Sequence, residues 1–211
     1  MKIKICGITN ADDAALCVEA GADALGFNFV EGTPRFVTAA RAAAIIGKLP
    51  PFVTPVGIFW DHAPGHVKAV AEESGVRALQ LHGDEPPEAL AEHRLPVIKT
   101  LKVAGESDLD RMARYQPSAF LLDSTARWSE GEARIPISWS VARRAVTMGR
   151  RIILAAGLTP DNVAAAIGVV GPYAVDVASG VEAVPGRKDP DKVRRFVREA
   201  RAATGPAESR P

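Results

Sequence analysis

The chain has little with which to staple, anchor or attract by bulk charge. It holds 2 cysteines in 211 residues, too few for a disulfide framework, so reduced thiols are expected. No run approaches the roughly 18 apolar residues of a membrane span, and the first residues lack the basic, apolar and small-residue segments of a secretory leader. A place in the cytoplasm is the expectation. With 26 basic and 25 acidic residues interleaved and a formal charge of +1, there is no electrostatic footprint for nucleic acid and no polybasic membrane patch. No His, Cys, Asp and Glu cluster has metal-ligand spacing, so neither a metal nor a cofactor is implied.

The chain does have a 47% hydrophobic content, enough for a full core. Short β-branched or apolar runs alternate with amphipathic stretches of helical period, the pattern of a parallel sheet with helical crossovers. Eight runs read as strands: Lys2 to Cys6, Ala24 to Phe29, Thr54 to Phe59, Ala78 to Leu81, Val97 to Leu101, Ala119 to Asp123, Arg151 to Ala155 and Ala174 to Val177. Helix starts are marked by Asn10, Thr38, Pro64, Ser107 and Thr159-Pro160-Asp161. Helix stops are marked by Gly21, Gly75 and Gly168. The reading is an α/β (β/α)₈ TIM barrel over residues 1–203, with an open doubly wound sheet as the alternative, since periodicity does not prove closure. Residues 204–211, with Gly, two prolines and no apolar period, read as a disordered tail.

In such barrels the chemistry is assembled at the C-terminal ends of the strands. Those ends and the loops after them supply Cys6, Arg35, Gln80, His82, Asp123, Ala156, Gly157, Asp176, Ser179 and Gly180, all of which a barrel brings to one rim. Cys6 is the most informative: it stands at the mouth of a strand-to-helix turn, although a free cysteine is most often a small buried apolar residue. The loops Ala156-Gly157 and Ser179-Gly180 follow strands seven and eight, the frequent phosphate site of this architecture, with backbone amides and a short helix N-terminus as donors. The competing reading is that these glycines only make tight turns.

Several separated motifs in series resemble the phosphoribosylanthranilate isomerase family: KICGIT at 4–9, GADALGFNF at 21–29, TPRFV at 33–37, PVGIF at 55–59, QLHGDE at 80–85, LLDS at 121–124, GLTPDNV at 157–163, and VDVASGVE with PGRKD at 175–189. The resemblance spans Lys2 to about Ala203. It implies a ribulose-phosphate-binding barrel, a phosphorylated small-molecule substrate, a step of tryptophan biosynthesis, and a monomer or homodimer. The implied reaction is an Amadori rearrangement of N-(5-phosphoribosyl)anthranilate to 1-(2-carboxyphenylamino)-1-deoxyribulose 5-phosphate. The same resemblance makes Asp123 the general acid and Cys6 the general base, sets Arg35 against the substrate carboxylate, and sets Asp176 against sugar hydroxyls or the anilino nitrogen.

Reference pKa values of about 3.9 for Asp and 8.5 for Cys are the wrong way round for these roles. Burial is therefore expected to raise Asp123 and a positive field to lower Cys6. One stretch and two single positions depart from the family pattern. Trp128 to Pro136 keeps only Gly131 of a glycine-rich lid, and Ala156 and Ala178 replace residues that are commonly Gly and Ser. Two other readings stay open: another sugar-phosphate isomerase or synthase of the same barrel class, for example the histidine-pathway aminoaldose isomerase, which carries aspartate where this chain has Cys6, and an idle barrel that only binds a phosphorylated ligand or a partner.

Overall fold

A computed structural model describes residues 1–124 and 137–203. Eight parallel strands pair in sequence order and β8 closes on β1, which removes the open-sheet alternative. The strands are β1 (Lys2–Cys6), β2 (Ala24–Asn28), β3 (Thr54–Phe59), β4 (Ala78–Leu81), β5 (Val97–Lys102), β6 (Ala119–Asp123), β7 (Ile152–Leu154) and β8 (Ala174–Val177). Helices α1 (Ala11–Ala20), α2 (Ala39–Ile46), α3 (Pro64–Ser74), α4 (Pro87–Ala91), α5 (Trp139–Thr147), α6 (Val163–Val170) and α7 (Pro190–Ala202) surround them, and a 3₁₀ helix, Glu106–Arg114, fills the place after β5. A hairpin of β9 (Glu182–Val184) and β10 (Arg187–Lys188) follows β8. Among the described residues no helix is long and apolar enough to cross a membrane.

The alternation of side chains along each strand divides the core in two. Residues such as Ile5, Leu25, Phe27, Phe59, Leu81, Phe120, Leu122 and Leu154 point outward and meet the helices in one continuous apolar layer. The interior holds a much smaller cluster of Ile98, Ala119, Leu121, Ile153, Ala155 and Ala174. Small residues suffice there because the lumen is also occupied by buried polar side chains, among them Lys4, Gln80, Thr100 and Asp176.

The local signals act as expected at Asn10, whose side chain accepts from the Asp13 amide, at Thr38, which caps Arg41, and at Pro64 in the first turn of α3. Gly21 and Gly75 end their helices in the left-handed conformation. Three markers fall elsewhere. The 3₁₀ helix after β5 starts at Gly105 rather than Ser107, because the Asp108 carboxylate turns back to accept from the Ala104 and Gly105 amides. Thr159-Pro160-Asp161 makes a turn closed by Asn162, whose Oδ1 accepts from the Thr159 amide, and α6 begins only after it. Gly168 lies inside α6, and Gly171 supplies the left-handed stop.

Helix α7 seals the ring between α1 and α6. It begins at Asp189, which accepts from the amides of Asp191 and Lys192, and it buries Val193, Phe196, Val197 and Ala200 on one face. Phe196 is fully buried. Its replacement by Ala is expected to cost about 3–5 kcal/mol, read as a lower urea midpoint with an unchanged slope.

Candidate active site

The C-terminal mouth of the barrel is a depression of about 600 Å³, open rim included, lined by residues from every strand-end that matters here: Cys6, Arg35, Gln80, His82, Asp123, Ala156, Gly157, Asp176, Ser179 and Gly180. All ten residues expected at the rim from the sequence therefore share one concavity.

On one side, β1 delivers Cys6. Beneath it on the same strand face, the Lys4 ammonium donates to Asp176 Oδ1 at 2.8 Å, and both side chains are buried. The Cys6 thiol has room because β2 offers Gly26 opposite: a Cβ there would stand 2.8 Å from Sγ. Burial pushes the Cys6 thiol up, Lys4 and Lys188 pull it down, and Asp176 opposes them; the net direction is upward. The expected positive field is present, but burial outweighs it, so the thiol is raised rather than lowered. Burial drives Lys4 down while Asp176 and Cys6 drive it up, and the pair wins: Lys4 stays charged. The second cysteine, Cys17, is fully buried on α1 and pushed up to about 12 by burial.

Across the mouth, β6 ends in Asp123. Its Oδ1 accepts from the Ser124 amide at 2.8 Å, and its Oδ2 lies 3.5 Å from His82 Nε2. His82 is itself fixed: Gln80 Nε2 approaches its Nδ1 to 3.1 Å, Thr100 Oγ1 stands 3.4 Å away, and the Trp60 ring stacks on it at 5.1 Å. Lys102 in turn sits 4.1 Å over the Trp60 ring. The loop after β4 is held from below by a buried pair, Lys99 to Glu85 at 2.6 Å, with Glu85 also accepting from the Asp61 and Gly83 amides.

Arg35 crosses the loop after β1. Its aliphatic stem passes so close to Gly7 that a Cβ there would meet Arg35 Cδ at 2.5 Å, and Gly7 also takes a φ of +80°, so both space and backbone demand glycine. The guanidinium is oriented by Glu182, which accepts from Nε at 2.9 Å and Nη2 at 2.6 Å. Glu182 also accepts from Lys188 Nζ at 3.0 Å, and that ammonium reaches on to the carbonyls of Cys6 and Ala178. One carboxylate thus ties the arginine to the backbone of the cysteine and of the last loop. Burial would raise Glu182, but Arg35 and Lys188 hold it below its ordinary value.

The loops after β7 and β8 lie back to back, since a Cβ on Gly180 would fall 2.0 Å from the Leu158 carbonyl oxygen. Their amide-rich concavity suits an anion. The candidate donors are the backbone amides of these loops; within the three-residue 3₁₀ turn Ser179–Val181 the Val181 amide is already taken by the Ala178 carbonyl. Ala156 adopts a φ of +64°, a left-handed conformation that favours glycine. The expectations placed on Trp128 to Pro136 and on 204–211 lie outside the described residues. Among those described, no group of His, Cys, Asp and Glu is arranged to hold a metal ion.

Sequence reasoning missed Lys4, Trp60, Lys102, Glu182 and Lys188. Lys4 did carry a signal: a lysine inside an apolar strand, two residues from the cysteine and hence on its face. Glu182 and Lys188 carried none, because only the fold brings the hairpin under Arg35.

Comparison with known proteins follows the same lines. The family model described as N-(5'-phosphoribosyl)anthranilate (PRA) isomerase matches residues 3–199. An enzyme of that name from Trichlorobacter lovleyi is 50% identical over 203 residues, covering 96% of this chain and 99% of its own. One from Geobacter metallireducens is 46% identical over 202 residues, covering 96% and 100%. The crystal structure of the Thermotoga maritima enzyme superposes with a TM-score of 0.90 at 41% identity, covering 96% of this chain and 99% of that one. A structure of such an enzyme in complex with reduced 1-(o-carboxyphenylamino)-1-deoxyribulose 5-phosphate superposes with a TM-score of 0.87 at 40% identity, with the same coverage.

Two outcomes check this geometry. Glu182→Gln removes the carboxylate that two buried cations share and is expected to cost about 3–5 kcal/mol. Because the Glu182 carboxyl is held below its unfolded value, that deficit is full at neutral pH and shrinks as pH falls through the lowered carboxyl, where the wild type loses the same stabilisation; urea unfolding of both proteins between neutral and acid pH reads it. Ala156→Gly relieves a left-handed alanine and is expected to raise stability by up to about 1 kcal/mol, a gain of roughly 2–4 °C in Tm for a chain of this size, measured by calorimetry.

Proposed function

The chain belongs to the N-(5'-phosphoribosyl)anthranilate isomerase family and is an isomerase of tryptophan biosynthesis, and on that premise we propose that Asp123 and Cys6 carry its two proton transfers. The substrate is N-(5-phosphoribosyl)anthranilate. Its phosphate sits in the amide-rich concavity of the last two loops, its carboxylate on the outward edge of Arg35, and its sugar between Cys6 and Asp123. The observation that supports this reading is that a thiol on β1, a carboxyl on β6, Arg35 and the Ala156-Gly157 and Ser179-Gly180 loops line one small mouth.

Asp123, as the carboxylic acid, gives its proton to the furanose ring oxygen. The C1–O bond breaks, the ring oxygen becomes a hydroxyl, and the nitrogen lone pair forms the C1=N iminium. Cys6, as thiolate, then takes the C2 proton; the C–H pair becomes the C1=C2 bond, and the iminium pair returns to nitrogen. The resulting enolamine ketonises by gaining a proton at C1 and losing one from the C2 hydroxyl. The enzyme is left with a thiol and a carboxylate, and one proton passing from Cys6 to Asp123 through solvent resets it. Each placed transfer is worth about 10² to 10⁴ in rate.

His82 supports the acid. If the Gln80 amide turns over, its Oε1, which is buried without a hydrogen-bond partner, accepts from an Nδ1–H of His82. Nε2 is then an acceptor facing the Asp123 proton, and the carboxylic acid has a partner in its protonated form. Asp176 is taken up with Lys4 in the free site, so its service to the sugar hydroxyls or the anilino nitrogen is a second interaction of a carboxylate already oriented.

The test is turnover of freshly generated phosphoribosylanthranilate, followed by loss of its fluorescence. Cys6→Ser and Asp123→Asn are each expected to lower kcat by about 10² to 10⁴ with little change in Tm. Near-normal turnover in either variant would remove that residue from its role. Binding of the substrate without turnover by the folded wild type would favour a barrel that only binds.

A further inference from the structure

The base needs a charge to lean on, and the interior of the barrel contains one that the reaction scheme leaves unused. Lys4 lies two residues before Cys6 on β1, so both side chains enter the lumen from the same face, with Cα atoms about 7 Å apart along the strand. That separation is within the reach of a lysine stem. The register sets Lys4 opposite Asp176 on β8, and the ammonium sits 2.8 Å from its Oδ1 with both groups almost removed from water. On the opposite side, Gly26 leaves the Cys6 sulfur a slot that any Cβ would close. The sulfur is thereby held between the backbone of β2 and the charged pair below it.

We propose that Lys4 is a positioning residue for Cys6: its buried ammonium stabilises the thiolate at the moment of C2 deprotonation, while Asp176 holds that ammonium in place and sets a limit on how far it favours the anion. This rests on the reading of Cys6 as the base. A purely structural pair would be poorly served by charge, since replacing a buried ion pair by apolar side chains of similar size is often neutral or stabilising. The charges that face Cys6 are Lys4 from its own strand, Asp176 from β8 and Lys188 from β10. Lys188 is already committed to Glu182 and to the carbonyls of Cys6 and Ala178. Lys4 pulls on the thiol more strongly than Lys188 does and also reaches it through a side-chain hydrogen bond. It pulls the thiol toward the anion, and Asp176 pushes the other way. A substrate hydroxyl or N–H donated to Asp176 would weaken that opposition, so binding itself would favour the thiolate.

The two charges predict opposite signs, which a structural role does not. The rate of Cys6 alkylation by iodoacetamide is measured against pH; Cys17 is fully buried and does not compete. For Lys4→Met the midpoint is expected to rise by about one pH unit, so that alkylation near neutral pH slows roughly tenfold. Turnover falls in parallel near neutral pH and recovers toward alkaline pH. For Asp176→Asn the midpoint is expected to fall. If Lys4→Met does not fold, the double variant Lys4→Met/Asp176→Asn removes both buried charges together, and its midpoint is expected above that of Asp176→Asn alone. Coincident midpoints, or shifts of the same sign in the two single variants, would overturn the proposal. Should Cys6→Ser keep its turnover, the assignment of the base fails, whereas the alkylation midpoints still report whether Lys4 governs the thiol.

Discussion

The contact between Lys4 and Asp176 joins the first strand of the barrel to the last, and much else follows from it. It is a buried pair across the seam where the sheet closes. Charges of this kind are expensive to take out of water and are kept only where both partners are fixed and satisfied. Here the lysine stem fills lumen space beside an interior cluster of three alanines, Leu121, Ile153 and Ile98. It also leaves a positive charge directly under the rim at the point where Cys6 emerges.

A second charged assembly, Arg35–Glu182–Lys188, performs the corresponding task at the upper edge. Glu182 accepts from both cations, and Lys188 extends to the carbonyls of Cys6 and Ala178. The arginine, the cysteine and the final loop are therefore one mechanical unit, built by a short hairpin inserted after β8. On the far side, Lys102 lies over Trp60, Trp60 tilts against His82, and His82 Nε2 stands 3.5 Å from the Asp123 carboxyl that the Ser124 amide holds. The thiol and the carboxyl that we propose as base and acid thus stand on separately braced walls. That arrangement suits a reaction whose two proton transfers occur at different atoms and at different times.

Much of this was legible in the sequence because the relevant signals are local. Strand boundaries followed from short apolar runs, and the ends of β1, β3, β4, β6 and β8 fall where those runs end. The ten rim residues follow once barrel closure is assumed, since the C-terminal end of every strand must face one side. What the sequence withheld is long-range. The upward shift of the Cys6 thiol depends on burial, which no motif encodes, and it runs against the direction that nearby positive charge alone would suggest. The pairing of Arg35 with Glu182 spans 147 positions. Gly168 looked like a helix stop because glycine is common there, but α6 runs on two residues to Gly171, which has the left-handed backbone that a stop requires.

The proposed chemistry requires one geometry: a sugar held with C2 at the thiol and its ring oxygen at the carboxyl. A crystal structure of this protein with reduced 1-(o-carboxyphenylamino)-1-deoxyribulose 5-phosphate tests it most directly. The phosphate is expected against the amides of the Ala156-Gly157 and Ser179-Gly180 loops, the carboxylate on Arg35, and Cys6 Sγ and Asp123 on opposite sides of the chain with C2 in contact with the sulfur. A ligand bound with C2 remote from Cys6, or with its carboxylate away from Arg35, would contradict it.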